Sequence, residues 1–257
     1  MAITREDNRD SPPAGVSRAR FARLHPRLYL SAYGVVGLAL AVACIWAFFG
    51  IADEIPEQGR LVNIDLAAAK WLQVHGTELG ESIFVGVSYL GAQALIGLLA
   101  IGAIVLAARR DWRHLGALAI TCGGGALLNG ALKLAFHRTR PVFASEFHEV
   151  SWSFPSGHAM DSLIVYGLAG YWLGARFPRA RVWIRLGAAA LIGAIGFARI
   201  YLGVHYLSDV VAGYMGGFVW LSFCITGYRF AERRRVGPAG SDEHQQPASD
   251  SDASARR

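Results

Sequence analysis

The stretch SFPSGHAMDS, residues 153–162, stands where a polar connection meets an apolar run that continues to about residue 175. Within ten residues it contains a proline, a glycine, an imidazole and a carboxylate, and Asp161 already lies inside the apolar run. A long apolar run is typical of a helix in lipid, where ionisable side chains are costly and usually mark a functional site. The stretch therefore predicts a membrane helix that begins at such a site.

Five further apolar blocks accompany this one in the 257-residue chain, which is 53% hydrophobic and only 17% charged. A helix needs about 20 residues to cross a bilayer, and in lipid each span must satisfy its own backbone hydrogen bonds. We therefore predict an all-α, polytopic membrane protein with six transmembrane helices; a large soluble helical protein is the alternative. The blocks are 28–50, 82–108, about 115–132, the quoted stretch to about 175, about 182–198 and about 210–228.

The polar segments predict the orientation of the chain. Arginines gather before the first block, in the second and fourth connections and after the last block, so the positive-inside rule makes these segments cytoplasmic. The acidic connection 51–81 is then outside, and its middle predicts a short helix on the membrane surface. We expect a basic cytoplasmic segment 1–27, a membrane domain 28–230 and a disordered cytoplasmic tail 231–257, in a multi-pass protein of the inner or plasma membrane.

Charge and cysteine content argue against several classes of protein. The basic flanks, facing anionic lipid, explain the net charge of +6. We expect no nucleic-acid partner, because no folded segment carries a basic stripe interleaved with aromatic residues. Cys44, Cys122 and Cys224 lie in separate apolar blocks and fit no metal or disulfide spacing. We expect no metal and no cofactor.

Two further polar clusters share the predicted outer side with the quoted stretch: KLAFHRTRP at 133–141 and ARIYLGVHYLSD at 198–209. Three cations that converge repel one another unless they bind an anion, and a phosphoryl group suits arginine and lysine donors. Ser156 and Gly157 stand at a helix start, where free N–H groups and the helix dipole also favour an anion. The ionisable residues of this predicted site are Lys133, Arg140, His158, Arg199, His205 and Asp209.

The two histidines predict chemistry on the bound phosphoryl group. A histidine can attack phosphorus if a carboxylate holds its other nitrogen, and His205 and Asp209, four residues apart, meet if the segment is helical. His158 can then protonate the leaving oxygen. Asp161, one helical turn further on, either tunes His158 or complements the helix N-terminus. The three cations take the place of a metal; a metal site on the two histidines and Asp209 is the alternative.

The three clusters together resemble the signatures of the type 2 phosphatidic acid phosphatase superfamily, which includes membrane lipid phosphatases and the related acid phosphatases and vanadate haloperoxidases. The resemblance covers about residues 80–230 and implies the six-helix fold of the membrane branch. The matching residues are Lys133, Arg140 and Pro141, then Pro155, Ser156, Gly157 and His158, then Arg199, His205 and Asp209.

The resemblance also implies a role for each matched residue. His158 is the general acid, His205 forms a phosphohistidine, and Asp209 orients His205. The family's third signature usually begins Ser-Arg, whereas here it begins Ala198-Arg199, so a phosphate-binding hydroxyl is missing. The residues implied to hold phosphate are Lys133, Arg140, Ser156, Gly157 and Arg199.

We expect a metal-independent phosphatase that hydrolyses lipid-linked phosphate monoesters or diphosphates at the outer membrane face. For a bacterial host, undecaprenyl diphosphate leads the expected substrates, followed by phosphatidylglycerophosphate and phosphatidic acid. A lipid phosphotransferase with the same site is one alternative. A transporter or non-enzymatic lipid-phosphate binder is another, but it predicts charges along a path across the bilayer, whereas here they gather at one depth.

Some conspicuous residues remain outside this scheme. We interpret His137, Arg138 and His148 as loop residues. Gly213 and Gly217, four residues apart in the last apolar block, predict close helix packing, and their spacing is also a weak signal for a homodimer. The expected partners are thus a lipid phosphate, membrane lipids and a second copy of the chain.

Overall fold

The computed structural model describes residues 16–56, 59–141 and 151–235 of the chain. Every regular element in these ranges is helical, which confirms the all-α prediction. The elements are α1 Val16–Glu54, α2 Arg60–His75, α3 Glu78–Leu90, α4 Gln93–Ala108, α5 Trp112–Leu118, a π-helical turn Ala119–Gly123, α6 Gly124–Phe136, α7 Gly157–Arg176, a 3₁₀ turn Pro178–Ala180, α8 Arg181–Tyr201 and α9 Leu207–Arg235.

Five helical segments of the described chain are long and apolar enough to cross a membrane. The helix α7 is not among them, because polar residues at its start and Arg176 at its end lower its apolarity. Eight of its residues are buried against other helices instead. A total of six spans therefore stays a prediction. The five segments are Gly34–Glu54, Glu78–Ala108, Trp112–Phe136, Pro178–Tyr201 and Leu207–Glu232.

The predicted domain boundaries fall within the first and last helices. The helix α1 already begins at Val16, before residue 28, and α9 continues to Arg235, beyond residue 230. Residues 1–15 and the tail from residue 236 lie outside the described part of the chain. The division into a basic segment, a membrane domain and a disordered tail stays a prediction.

The helix α7 packs against α8 and α9 and thereby lies at the centre of the bundle. Glycines make its contact with α9 close: a Cβ at Gly213 would stand 2.6 Å from the Ser156 carbonyl oxygen, and one at Gly217 3.0 Å from the Met160 carbonyl oxygen. The predicted close packing is therefore confirmed, and it lies inside one chain. The spacing of these glycines has an intramolecular reason, and a homodimer stays a prediction.

The second apolar block is a broken helix, since α3 ends at Leu90 and α4 begins at Gln93. A broken helix frees carbonyl groups that lipid cannot satisfy. The Tyr166 hydroxyl of α7 donates to the carbonyl oxygen of Leu90 at 2.6 Å and so satisfies one of them. A Cβ at Gly91 would lie 3.1 Å from Cδ2 of His158. The break therefore leaves room for the His158 ring beside α3.

The helix α2 confirms the predicted helix in the first outer connection; its place on the membrane surface stays a prediction. It packs against α8 and α9 and buries Asp65, which is 1% exposed. Where α2 leads into α3, the backbone N–H of Thr77 donates to the Tyr201 hydroxyl of α8 at 2.9 Å. The hydroxyl of Thr77 caps α3 by accepting from the Gly80 N–H at 3.0 Å. These contacts hold α2 over the start of α9.

Candidate active site

His205 and Asp209 are in contact, as the sequence predicts. His205 Nδ1 lies 3.5 Å from Asp209 Oδ2, and both side chains are almost completely buried. The expected reason for the contact is wrong, because His205 precedes α9 rather than lying in it. The carboxylate instead reaches back over the helix start, where Oδ2 accepts the Tyr206 backbone N–H at 2.9 Å. The four-residue spacing works through a capping turn, for which Asp is well suited.

A serine hydroxyl joins the pair formed by His205 and Asp209. The Ser153 side chain is fully buried, donates to Asp209 Oδ2, and has its oxygen 3.4 Å from His205 Nδ1. Sequence reasoning missed it, although Ser153 opens the decisive stretch. Its position is fixed by the backbone, since the Ser153 N–H donates to the carbonyl oxygen of Arg138 at 2.8 Å.

Arg140 faces the other nitrogen of His205. Its Nη1 lies 3.1 Å from His205 Nε2 and donates to the Val204 carbonyl oxygen at 2.8 Å. Two further bonds of 2.9 Å run from its guanidinium to the carbonyl oxygen and the hydroxyl of Ser151. Because arginine only donates, Nε2 must accept, and we assign the ring proton to Nδ1, which faces Asp209.

The charge state of His205 follows from its burial. Burial lowers the pKa of His205 to about 4; the hydrogen bond and charge of Asp209 oppose the shift, and the charges of Arg140 and Arg199 add to it. The imidazole is therefore neutral at neutral pH. A neutral ring with its proton on Nδ1 has its lone pair on Nε2, directed at the cations.

Lys133 and Arg140 meet at one carbonyl group. Lys133 stands in the last turn of α6 and donates to the Trp152 carbonyl oxygen, while Nη2 of Arg140 lies 3.5 Å from the same oxygen. Two of the three predicted cations, one from the end of α6 and one from the connection that follows it, are thus neighbours. In phosphate sites, cations gathered in this way share the charge of the anion.

The third predicted cation, Arg199, comes from the last turn of α8. It is 4% exposed, and its Nη1 donates to the hydroxyl of Ser88 in α3 at 2.8 Å. Its charge acts on His205, as the charge of Arg140 does. Between these residues the chain turns at Gly203, whose φ of 67° is a left-handed conformation that glycine adopts readily.

The start of α7 presents a hydroxyl that has no hydrogen-bond partner among the described residues. Ser156 occupies the N-cap position, but its side chain makes no capping hydrogen bond. Its Oγ is buried and finds no partner within the described residues. The Ser156 backbone N–H donates to the Asp209 carbonyl oxygen at 3.0 Å, which joins this turn to the His205 pair. Buried polar atoms are rarely left unpaired, so Ser156 favours a ligand beside Gly157.

His158 and Asp161 lie at the same end of α7, both half-buried. The His158 ring sits against Gly91 at the break between α3 and α4. A carboxylate oxygen of Asp161 lies 4.0 Å from the place of a Cβ at Gly157, and the charge of Lys133 acts on it. The tuning of His158 by Asp161 stays a prediction.

Arg138 lies in the connection between α6 and α7, but the interpretation that it is just a loop residue is wrong. Its side chain is 7% exposed; Nη1 donates to Asp209 Oδ1 at 2.6 Å, and Nη2 donates to Asp65 Oδ2 at 2.8 Å. Burial by itself lowers the pKa of Arg138, but the two carboxylates outweigh it, so its pKa is raised. The available signal was Asp65, a lone charge in the apolar stretch IDLAAA that required a buried partner. His148 lies outside the described residues.

The described residues contain no group of three His, Cys, Asp or Glu side chains that could hold a metal ion. The alternative of a metal site on the two histidines and Asp209 therefore has no ligand set in this part of the chain. Each oxygen of Asp209 already accepts hydrogen bonds from the protein. The independence of the enzyme from metal stays a prediction.

The chain is similar in sequence to known proteins. The chain matches the PAP2 superfamily over residues 112–233. It is 35% identical to phosphatidylglycerophosphatase B of Bacillus subtilis (strain 168) over 191 residues, which are 72% of this chain and 92% of that protein. It is 32% identical to an undecaprenyl-diphosphatase of Sulfolobus acidocaldarius over 88 residues, 34% of this chain and 39% of that one.

A solved structure shows the same fold. It is the crystal structure of a transmembrane PAP2 type phosphatidylglycerolphosphate phosphatase from Bacillus subtilis, 31% identical in sequence. The TM-score is 0.66, and the similarity covers 75% of this chain and 96% of the other. With the apolar helices, these similarities identify an integral membrane protein. The chain belongs to the PAP2 superfamily and is a membrane lipid phosphatase, a hydrolase that acts on phosphate esters.

Proposed function

We propose that the enzyme hydrolyses its lipid phosphate through a phosphohistidine on His205. The observation that carries the proposal is the pair of contacts made by the buried ring: Nδ1 at Asp209 and Nε2 at Arg140. A nucleophilic histidine needs its second nitrogen held by an acceptor and its lone pair directed at the electrophile. The lone pair of Nε2 points to where arginine would hold a phosphoryl oxygen.

In the proposed first step, His205 Nε2 attacks phosphorus while the bond from phosphorus to the lipid oxygen breaks. Arg140, with Lys133 and Arg199, binds the non-bridging oxygens, and Ser156 with the Gly157 N–H adds uncharged donors. His158 gives its proton to the leaving oxygen. In the second step water attacks phosphorus while the bond from phosphorus to Nε2 of His205 breaks; His158 takes a proton from that water, and inorganic phosphate leaves.

For the substrate we propose phosphatidylglycerophosphate first and undecaprenyl diphosphate second. The phosphatidylglycerophosphatase B relative supports the first over 92% of its length. The undecaprenyl-diphosphatase supports the second over only 39% of its length. The extent of the two similarities therefore reverses the order expected from sequence. Phosphatidic acid shares the phosphomonoester group and comes third.

The first prediction concerns activity on these lipids. Purified protein in detergent should release phosphate with the highest kcat/KM from phosphatidylglycerophosphate. EDTA should leave the rate unchanged, because cationic side chains neutralise the phosphoryl oxygens, and vanadate should inhibit by mimicking five-coordinate phosphorus. Released phosphate is measured for the three lipids in parallel. A complete loss of activity in EDTA that magnesium restores would contradict the metal-free site, and no turnover of any of the three would contradict the proposed substrates.

For the topology we propose six spans, with α7 as the fourth, both termini in the cytoplasm and the site at the outer face. The arginine-rich connections support this orientation, and the central packing of α7 explains how a more polar helix can be a span. The enzyme would then act on lipid in the outer leaflet. Phosphate would be released outside the cell membrane.

The second prediction tests this sidedness. In a chain lacking Cys44, Cys122 and Cys224, single cysteines are placed at Gln73 of α2 or at Arg179 between α7 and α8, both of which are exposed. A membrane-impermeant thiol reagent applied to intact cells should label the cysteine at 73 and spare the one at 179. Opening the cells should make both reactive. Labelling at 179 alone in intact cells would place the chemistry in the cytoplasm.

A further inference from the structure

A buried chain of charges runs from α2 to the start of α9. Asp65 of α2 pairs with Arg138, and Arg138 pairs with Asp209. These three side chains are 1%, 7% and 0% exposed. We propose that Arg138 and Asp65 are positioning residues of the phosphatase reaction: they hold Asp209 in the orientation that serves His205, which makes α2 part of the catalytic unit. The proposal rests on the proposed role of His205.

The two oxygens of Asp209 have separate tasks. Oδ2 faces the histidine side, where it lies 3.5 Å from His205 Nδ1 and accepts from Ser153 and the Tyr206 N–H. Oδ1 accepts from Arg138 Nη1 at 2.6 Å. A carboxylate held at one oxygen by a rigid guanidinium fork cannot rotate freely about its χ angles. The Arg138 bond therefore keeps Oδ2 aimed at the imidazole.

Arg138 itself is held on three sides. Its Nη1 also donates to the Ser208 hydroxyl at 2.7 Å, its Nη2 donates to Asp65 at 2.8 Å, and its guanidinium stacks 4.2 Å from the centre of the Tyr206 ring. Arg138 bonds to Oδ1 of Asp209, whereas Arg140 lies at Nε2 of His205. Arg138 thus acts through Asp209, unlike Arg140, which faces the lone pair.

Asp65 compensates the positive charge of Arg138. One of its oxygens accepts the Ser208 N–H at 2.9 Å, at the start of α9, and the other accepts from Arg138 and the Ser208 hydroxyl. Without Asp65, the charge of Arg138 would act on Asp209 and His205 uncompensated. Asp65 lies in α2, outside residues 112–233, where the chain matches the superfamily.

Stability alone is a weak reason for such a network. A buried ion pair repays its desolvation only in part, and well-packed apolar residues often replace it without loss of stability. Charge, however, has a consequence for the reaction. His205 is faced by Asp209 from α9, by Arg140 from the outer loop and by Arg199 from α8. The chain of Arg138 and Asp65 adds one positive and one negative charge behind Asp209.

These two charges must shift the protonation of the His205–Asp209 pair in opposite directions. Removing the positive charge with Arg138→Gln lets the pair bind a proton at higher pH. Removing the negative charge with Asp65→Asn leaves the cation uncompensated, so the pair binds a proton at lower pH. The two substitutions damage the same buried network. If Arg138 and Asp65 had a purely structural role, both substitutions would shift the protonation of the pair in the same direction or not at all.

The test is the pH dependence of kcat/KM on a short-chain phosphatidic acid, whose acid limb reports protonation of the pair in the free enzyme. In Arg138→Gln the apparent pKa of this acid limb should rise by about one pH unit. In Asp65→Asn it should fall, and in the double variant it should return towards that of the unchanged protein. Ser208→Ala removes a hydroxyl from the same network without a change of charge, and its limb should not move.

A second variant, Arg138→Lys, tests the proposal if Arg138→Gln does not fold. Lysine keeps the charge but cannot bind two carboxylates and a hydroxyl in one plane, so kcat should fall about tenfold with KM within about twofold and the limb unmoved. An unchanged kcat in Arg138→Lys would overturn the proposal, as would an unmoved limb in Arg138→Gln or a rise in both single variants. Failure of the underlying mechanism has a separate sign, which is full activity after loss of His205.

Discussion

Replacement of His205 by asparagine is expected to lower kcat by about 10⁴-fold or more on every lipid phosphate, because it removes the proposed nucleophile. Asparagine is chosen because its amide can still donate to Asp209 from the position of Nδ1, so the buried carboxylate keeps a partner and the fold is preserved. The measurement is phosphate release by the purified variant, with insertion into the membrane checked by fractionation.

Two controls sharpen this expectation. His75→Asn makes the same change at an exposed histidine at the end of α2, stacked on Trp71, and should leave kcat unchanged. Protein quenched during turnover of ³²P-labelled lipid should carry a label that survives base and is lost in acid, as a phosphohistidine does, and His205→Asn should carry none. An active His205→Asn enzyme, or label retained on that variant, would contradict the phosphohistidine.

The sequence predicted the all-helical fold and several residues that the structure brings together, because the signals of a membrane protein are long and sparse. Apolar blocks of about 20 residues predict helices in lipid, and an ionisable residue at a span end is too costly to be incidental. This cost marked residues that the structure places at one end of the bundle, namely Lys133, Arg140, Arg199 and His205. The break at Gly91 escaped prediction, because Gly91 lies in a continuous apolar run. Its surroundings are tertiary, since the side chains of His158 and Ile195 stand close to where a Cβ at Gly91 would lie.

The residues that sequence reasoning missed act through tertiary contacts. Arg138 stands beside the motif arginine and reads like any loop cation, and only the packing of α2 against α9 buries it between two carboxylates. Asp65 is separated from Arg138 by 73 positions, a distance over which spacing carries no information. Ser153 is similar: a serine two residues before Pro155 suits a turn, and its bond to Asp209 depends on how the tertiary structure holds the loop.

Replacement of His158 by asparagine is expected to lower kcat on lipid phosphates by about 10³-fold, within the usual range for loss of a general acid. The lipid alkoxide is a poor leaving group and needs a proton as its bond to phosphorus breaks. The ring stands at the second residue of α7, directly after Gly157 and beside Ser156, whose unpartnered hydroxyl marks the proposed phosphate position. Phosphate release from short-chain phosphatidic acid measures the effect.

The leaving group separates this role from a purely structural one. An aryl phosphate with an electron-poor phenol releases a phenolate that needs no protonation, so His158→Asn should lose at least tenfold less activity on the aryl phosphate than on the lipid. His205→Asn supplies the comparison, because a missing nucleophile slows both substrates alike. Equal losses on the two substrates in His158→Asn would show that His158 binds or orients the phosphoryl group instead. Its half-buried ring against Gly91 would then serve to shape the site at the start of α7, and the leaving oxygen would have to take its proton from water.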